Sequence, residues 1–185
     1  MRVWPLIFIA FLAACTTTAT APTPFTVPLS EGELLPFAQE GKRVISGEGF
    51  IRLRSSGTVR CSGAPVTLLP AVPMVDAAME RWRTGGKIDP ASLPIAHLGS
   101  AVRRTECSRS GRFKFERLPA LDYWVTLPVT WQERRYRSGI AWDRGGMLAA
   151  RISVRKHSHK RVVVDNEDWS GGADPELLAA HLGAR

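Results

Sequence analysis

The sequence predicts an all-β fold, a sandwich of about seven short strands with one short helix inserted between them. Several segments alternate apolar and polar residues with a period of two, which is typical of half-buried strands, and clusters of turn-forming residues separate them. Six or seven short strands at this spacing predict a sandwich rather than a parallel sheet. The candidate strands are residues 44–53, 66–69, 112–115, 122–131, 148–154 and 161–164.

The alternation is strongest at residues 122–131. Every second residue there is apolar, so these side chains share one face of the predicted strand. Pro128 has no N–H to donate to a ladder, so we expect it at a bulge or where the strand has a free edge. The shared face consists of Tyr123, Val125, Leu127, Val129 and Trp131.

One segment, residues 73–83, has helical periodicity instead. Pro73 suits the first turn of a helix, and Gly85 and Gly86 end the pattern, so the sequence predicts a short helix inserted between strands. The residues that follow, 87–100, are predicted to be loop. The side chains at helical spacing are Met74, Ala77, Ala78, Arg81 and Trp82.

The N-terminus has the features of an exported precursor. Arg2 supplies a positive charge, residues 3–12 are apolar, and small residues precede Cys15. This pattern resembles the bacterial lipobox, which implies removal of residues 1–14 and diacylation of Cys15. Because Thr16 is not aspartate, it also implies the inner leaflet of the outer membrane, facing the periplasm. The alternatives are an ordinary signal peptide or an uncleaved anchor, although the run is short for a bilayer core of about 30 Å.

Composition divides the remaining chain into three parts. Residues 15–40, which would begin with the lipidated cysteine, are rich in Thr, Ala and Pro and are predicted to form a flexible tether. Residues 41–165 have the length of one domain. Residues 166–185 are predicted to be an acidic tail, with Asp174 capping a short helix. This tail either folds back on a basic surface or stays solvated.

The charge balance favours anionic partners. The chain has 25 Lys and Arg residues against 17 Asp and Glu, a formal net charge of +8. Such an excess attracts anionic surfaces, which in a cell envelope are lipid headgroups, lipopolysaccharide or anionic wall polymers. The export signal argues against nucleic acid as a partner.

Lipidation of Cys15 would leave an even pair, Cys61 and Cys107. In an exported protein such a pair is most simply a disulfide, and the alternative is two buried free thiols. On the chain-entropy account, closing a loop of this length stabilises a domain by roughly 4 kcal/mol. A metal site needs more ligands than these two cysteines supply.

Three short motifs can be compared with a known family. They are G-A-P-V-T-L at residues 63–68, G-R-F-K-F at 111–115 and L-P-A-L-D-Y at 118–123. Together they resemble the carboxypeptidase regulatory-like domains, which implies a transthyretin-like Greek-key sandwich of seven strands over residues 44–164. The family's glycine between proline and tyrosine is replaced here by 120–122. The resemblance implies a fold and no active site.

Few residues suggest chemistry. Extended, His157 and His159 would place two imidazoles on one face as half of a metal site, but a polar turn flanked by basic residues is the alternative that we prefer. The chain has no nucleophile elbow, zincin helix or phosphate-binding glycine loop. We therefore expect no enzyme activity, no metal and no cofactor.

The loop at residues 134–142 is the candidate binding site. Arginines interleaved with aromatic residues on a glycine-bearing loop can hold a phosphate or carboxylate and stack on a ring. The alternative is a solvated hairpin whose arginines keep an edge from pairing. The residues assigned to binding are Arg134, Arg135, Tyr136, Arg137 and Trp142.

These observations support three functions in order. The first is a non-catalytic envelope lipoprotein whose sandwich binds another envelope protein or an anionic envelope polymer. The second is a structural lipoprotein subunit of a secretion or transport apparatus, which rests on fold analogy alone. The third is a carbohydrate-acting enzyme, which would need two carboxylates facing a cleft. The acidic residues Glu106, Glu116, Asp122 and Asp143 are scattered among basic ones.

Overall fold

The computed structural model describes residues 26–53, 57–84, 98–134 and 141–170. Within these ranges nine strands form two sheets, and two helices pack on them. The helices are α1 (Glu31–Ala38) and α2 (Pro73–Arg83). The strands are β1 (Arg43–Leu53), β2 (Gly57–Arg60), β3 (Pro65–Pro70), β4 (Arg103–Glu106), β5 (Arg112–Leu118), β6 (Asp122–Arg134), β7 (Ala141–Ser153), β8 (His159–Val164) and β9 (Trp169–Ser170).

Sheet 1 is built around β1. On one side β1 pairs antiparallel with β5 along its first half and with β2 along its second half. On the other side it pairs parallel with β8, with Ser46 opposite Arg161 and Glu48 opposite Val163. In the described part of the chain β8 has no further neighbour, so its outer edge is open.

Sheet 2 is antiparallel, in the order β4, β3, β6, β7, β9. The long hairpin of β6 and β7 forms its centre, with thirteen paired positions from Asp122↔Ser153 to Arg134↔Ala141. Strand β9 pairs with Met147 and Leu148, and among the described residues no other strand pairs with that edge of β7. Strand β3 pairs β6 only at 123–126, so Pro128 lies where β6 has β7 as its one strand partner, as expected for a residue without an N–H.

The core lies between the inner faces of the two sheets. Ile45, Phe113 and Phe115 of sheet 1 are buried, and so are Tyr123 and Leu127 of sheet 2. In β5, Arg112 and Lys114 alternate with Phe113 and Phe115 and are exposed, which is the alternation that the sequence predicted. The all-β sandwich with an inserted helix is therefore confirmed.

A disulfide between Cys61 and Cys107 joins the two sheets. Cys61 directly follows β2 of sheet 1 and Cys107 directly follows β4 of sheet 2, and both are buried. Gly49 makes room for this bridge, because a Cβ there would lie 2.9 Å from Cys61 Sγ and 2.7 Å from Leu127 Cδ2. The predicted pairing of the cysteines is confirmed, and the alternative of two free thiols is wrong.

Helix α2 has the bounds that the sequence predicted, and its buried side chains are Met74, Val75, Met79 and Trp82. It lies against the outer face of sheet 2, where Asp76 accepts a hydrogen bond of 2.6 Å from Trp124 Nε1. On that face Leu69, Trp124 and Met147 are buried. Sheet 2 is thus covered on both sides.

The structure differs from the sequence-based boundaries at both ends of the domain. Residues 31–38, expected within the flexible tether, form α1 and bury Leu34 and Phe37. After β8, Asn166 continues the pairing with β1: Arg52 N donates to Asn166 Oδ1 at 2.7 Å, and Asn166 Nδ2 donates to Arg52 O at 3.1 Å. The folded domain therefore includes residues 31–38 and 166–170, because both segments pack on or pair with it.

Other expectations fall outside the described residues. These are the lipidation site Cys15, the signal segment 1–14 and the helix proposed after Asp174. No helix in the described ranges combines the length and apolar character needed to cross a membrane.

Candidate functional site

The strongest candidate site is a groove between the open edges of β7 and β8, with a volume of about 430 Å³. Its walls come from the last residues of β7, the turn at 154–158 and the start of β8. Ile152 and Val162 are its apolar residues. We call it the cationic groove, and its polar lining residues are Arg151, Ser153, Arg155, Lys156, His157 and Lys160.

Strand register explains why these side chains meet. In β8 alternate side chains point to opposite faces, so Lys160 and Val162 turn toward the space between the sheets. Both are half-buried, whereas Arg161 and Val163 are exposed on the opposite face. Strand β7 ends opposite the first residues of β6, with Ile152 paired with Tyr123. The positions of the groove's lining residues are therefore determined by the strand pairing of both sheets.

Two carboxylates hold the arginines of the groove in place. Asp76 accepts from Arg151 Nε at 3.1 Å and from Arg151 Nη2 at 3.3 Å. Asp122 accepts from Arg155 Nε at 3.1 Å and lies 3.8 Å from Arg151 Nη2. Through Asp76, which also binds Trp124, the arginine of the groove is connected to helix α2.

These contacts shift the pKa values of the groups involved. Partial burial alone would raise the pKa of Asp122, but hydrogen bonds from Ser153 and Arg155 and the charges of Arg155 and Arg151 outweigh it and lower the pKa. The hydrogen bond to Asp76, supported by the charges of both carboxylates, raises the pKa of Arg151. Asp122 is therefore ionised at neutral pH and fixes the arginines.

The two lysines of the groove have no such partner. In the part of the chain that the structure describes, neither Lys156 nor Lys160 forms an ion pair or a side-chain hydrogen bond. Asp76 and Asp122 thus pair with the two arginines, whereas the ammonium groups of Lys156 and Lys160 remain available to a ligand. An anionic group with an adjoining apolar surface fits this lining, because the lysines offer charge and Ile152 and Val162 offer contact area.

The loop proposed for binding lies at the other end of the same hairpin. Arg134 is the last residue of β6 and pairs with Ala141, and Trp142 of β7 pairs with Glu133. Arg135, Tyr136 and Arg137 lie outside the described residues. Arg151 lies ten positions after Ala141 in β7, a distance of about 33 Å along a strand. The ends of the two strands that flank the loop thus lie far from the groove, and binding by the loop stays a prediction.

The histidines do not form a metal site in the described residues, where no three His, Cys, Asp or Glu side chains come close enough to hold an ion. His157 lines the groove. On the opposite face of sheet 1, His159 Nε2 lies 2.7 Å from Ser46 Oγ. Among the described residues no carboxylate hydrogen-bonds this histidine, so the pair lacks the third group of a serine-hydrolase triad.

Sequence reasoning treated the groove residues only as the flanks of a polar turn. The signal that was available is the density of basic side chains in R-K-H-S-H-K-R, residues 155–161. No local pattern places Arg151 or Val162 beside them, because this depends on the parallel pairing of β8 with β1.

Comparison with known proteins identifies a structural neighbour. No protein-family profile and no curated protein matches the chain. A proposed carbohydrate-binding protein of Pseudomonas aeruginosa, known from a crystal structure, superimposes with a TM-score of 0.62 over 76% of this chain and 99% of its own. The two sequences are 22% identical, so what the likeness shows is the shared fold.

Proposed function

We propose that this protein is a non-catalytic binding protein of the bacterial cell envelope, anchored through a lipid on Cys15, and that its cationic groove binds an acidic carbohydrate. The observation that carries the proposal is the groove itself, in which Lys156 and Lys160 lie beside apolar Ile152 and Val162 without a carboxylate partner among the described residues. Its volume of about 430 Å³ is within the range of small-ligand sites.

The class of ligand follows from this lining. A sugar ring that carries a carboxylate or phosphate combines an anionic group with an apolar C–H face. The anionic group suits the lysines, and the C–H face suits Ile152 and Val162. The structural relative proposed to bind carbohydrate supports the same class of ligand. Acidic glycans are also among the anionic components that an envelope offers to a chain of net charge +8.

The absence of catalysis is part of the proposal. Hydrolysis of a glycosidic bond generally uses two carboxyl groups on opposite sides of the bond. The carboxylates nearest the groove, Asp76 and Asp122, are each bound by arginine and serve to position it. A lining of four cations and one histidine is suited to holding an anion.

Binding can be tested by titration with a matched pair of ligands. The protein would be the chain from residue 15 onward, exported with a cleavable signal peptide and carrying Cys15→Ser. Backbone NMR shifts would be followed during titration with a uronic-acid oligosaccharide and with the same oligosaccharide after reduction of its carboxyl groups. We expect shifts at residues 151–162 with the acidic form and at least tenfold weaker binding of the reduced form.

Charge variants provide the control. The double variant Lys156→Gln, Lys160→Gln should weaken binding of the acidic oligosaccharide at least tenfold, whereas Lys42→Gln, Arg109→Gln removes the same charge elsewhere and should leave it within twofold. Equal binding by both variants would show that net charge alone attracts the glycan. Shifts confined to residues near 134 and 141 would place the site at the hairpin loop instead.

The anchor is tested separately. The wild-type chain should be processed to begin at Cys15, with the mass of an acylated N-terminus, and should remain with membranes after a salt wash. Cys15→Ala should yield an unprocessed precursor or a released protein. A wild type without lipid that leaves the membrane would contradict the anchor and leave the groove unaffected.

A further inference from the structure

We propose that the outer face of sheet 1 docks on the anionic surface of a phospholipid membrane. We call this surface the open face. It is defined by the outward side chains of β1, β2, β5 and β8. These are Phe50 and Val163, the basic residues Arg52, Arg60, Arg112, Lys114 and Arg161, the acidic residues Glu48 and Glu116, and the polar residues Ser46, Thr58 and His159. The inference goes beyond the groove and takes only the anchor from the proposed function.

The open face is the broad uncovered side of the sandwich. Helix α2 occupies the outer face of sheet 2, but within the described residues no helix lies on sheet 1. The face follows β1 over eleven residues, about 35 Å, and three strands lie side by side across its first half. Because side chains of a strand alternate, all the outward ones approach an extended surface from the same direction. A planar partner can therefore contact many of them at once.

Its charge selects an anionic partner. Five basic residues face two acidic ones, and both acidic residues are already paired, Glu48 with Arg112 at 3.2 Å and Glu116 with Lys114. Arg52, Arg60 and Arg161 form no ion pair among the described residues. Each basic residue close to an anionic membrane adds a favourable electrostatic contribution to binding.

The apolar residues on this face suit an interface with lipid. Val163 is 51% exposed, although strand residues of its type are usually buried. Phe50 is half-buried, with the Arg52 guanidinium 5.4 Å from its ring centroid. Basic groups around exposed apolar side chains match the arrangement of headgroup phosphates above acyl chains.

The short N-terminal segment keeps the domain close to the bilayer. Ten residues lie between Cys15 and Thr26, where the described chain begins. Fully extended they span at most about 40 Å, which is comparable with the length of the sandwich itself. A lipid on Cys15 would therefore keep the domain within reach of the bilayer, and charge favours the open face as the contacting side.

Docking can be measured without the lipid anchor. The chain from residue 15 onward with Cys15→Ser would be mixed with vesicles of phosphatidylcholine alone and of phosphatidylcholine with an equal amount of phosphatidylglycerol, and bound protein would be sedimented. We expect binding to the anionic vesicles, little binding to the neutral ones, and loss of binding as salt is raised.

Matched variants locate the binding surface. Arg52→Gln, Arg60→Gln, Arg161→Gln should lower the partition coefficient at least tenfold, because three charges leave the interface while most of each side-chain stem remains. The control Arg81→Gln, Arg83→Gln, Arg109→Gln removes the same charge outside the open face and should change it less than threefold. Glu116→Gln removes a negative charge from the open face and should therefore raise the partition coefficient on anionic vesicles. This result would test the proposal even if the triple variant failed to fold.

Several results would overturn the proposal. These are equal binding to both kinds of vesicle, equal losses in the two triple variants, and loss in Lys156→Gln, Lys160→Gln alone. The last result would assign membrane binding to the cationic groove. Because this assay contains no glycan and the protein in it carries no lipid anchor, its failure leaves the proposed glycan binding and the anchor untouched.

Discussion

The two sheets pack their inner faces on one core, yet their outer faces are opposites. Sheet 2 buries Trp124 and Met147 on its outer side, where α2 packs. Asp76 of α2 accepts a hydrogen bond from Trp124 in that interface. Sheet 1 exposes alternating charges on its outer side, with Glu48 and Arg112 paired in solvent. A buried hydrogen bond such as Asp76–Trp124 contributes to the free energy of unfolding, because breaking it leaves a polar group without a partner. An exposed ion pair such as Glu48–Arg112 contributes little, and its charges remain accessible to a partner. The comparison predicts that substitutions on sheet 2 change stability and that those on sheet 1 change binding.

The largest expected effect comes from separating the sheets. Cys61→Ala together with Cys107→Ala removes the bridge that joins them across 46 residues of sequence. We expect the free energy of unfolding to fall by about 4 kcal/mol, because the unfolded chain regains the entropy of an open loop. Urea unfolding followed by circular dichroism measures this loss.

Cys15→Ala is the matched control, since it removes a cysteine outside the bridge and should leave the unfolding free energy unchanged. A loss below about 1 kcal/mol in the double variant would mean that core packing alone holds the sheets together.

The second prediction compares one carboxylate on each outer face. Asp76→Ala leaves the buried Trp124 Nε1 without an acceptor and frees Arg151, so we expect destabilisation of about 1–3 kcal/mol. Glu48→Ala removes an exposed ion pair with Arg112 and should cost less than about 0.5 kcal/mol. Chemical unfolding of the two variants under the same conditions tests the difference. Equal losses would contradict the distinction between a covered and an open sheet.

The sequence predicted an element correctly where the residues of that segment alone indicate its type and its ends. Helix α2 has the predicted bounds because Pro73 starts it and a glycine pair follows it. Strand β6 follows from its alternation of apolar residues. The disulfide was predicted from the even pair of cysteines that remains when Cys15 is set aside as the expected lipidation site.

Other elements depend on partners distant in sequence. Residues 141–147 lack alternation and become strand because β6 pairs with them along its whole length. Strands β2, β4 and β9 are too short to give a pattern and are defined by their neighbours. Helix α1 did offer a local signal, since Ser30 precedes Glu33 by three residues and Ser30 N donates to Glu33 Oε2 at 3.3 Å.

The candidate site belongs to this second group. The alternation of β8 sends Lys160 into the groove and Arg161 onto the open face, but only its parallel pairing with β1 determines which face is which. The proposed loop at 134–142 was chosen for its composition, a local property. The groove is lined by Arg151 of sheet 2 and Lys160 of sheet 1. Local composition marks residues 155–161 as basic but cannot show that Arg151 lies beside them.

The smallest expected effect concerns Asp122, the carboxylate that fixes Arg155 beside the groove. Hydrogen bonds and nearby arginines outweigh partial burial and lower its folded-state pKa below the ordinary value of 3.8. Its stabilising effect is therefore complete at pH values well above 3.8 and is lost as the pH falls through the lower folded pKa. Asp122→Asn cannot ionise, so the difference in thermal midpoint between wild type and variant should be constant near neutral pH and shrink below about pH 4.

Binding gives this variant a second readout. Asp122→Asn releases Arg155, so affinity for the acidic oligosaccharide should rise about twofold to fivefold, by less than 1 kcal/mol. The comparison variant is Glu116→Gln on the open face. It also removes a carboxylate whose pKa is lowered, chiefly by a hydrogen bond from Lys114, but should leave oligosaccharide affinity unchanged. An equal rise in both variants would attribute the change to net charge. A rise in Asp122→Asn alone would connect the ion pairs at the edge of sheet 2 to the ligand.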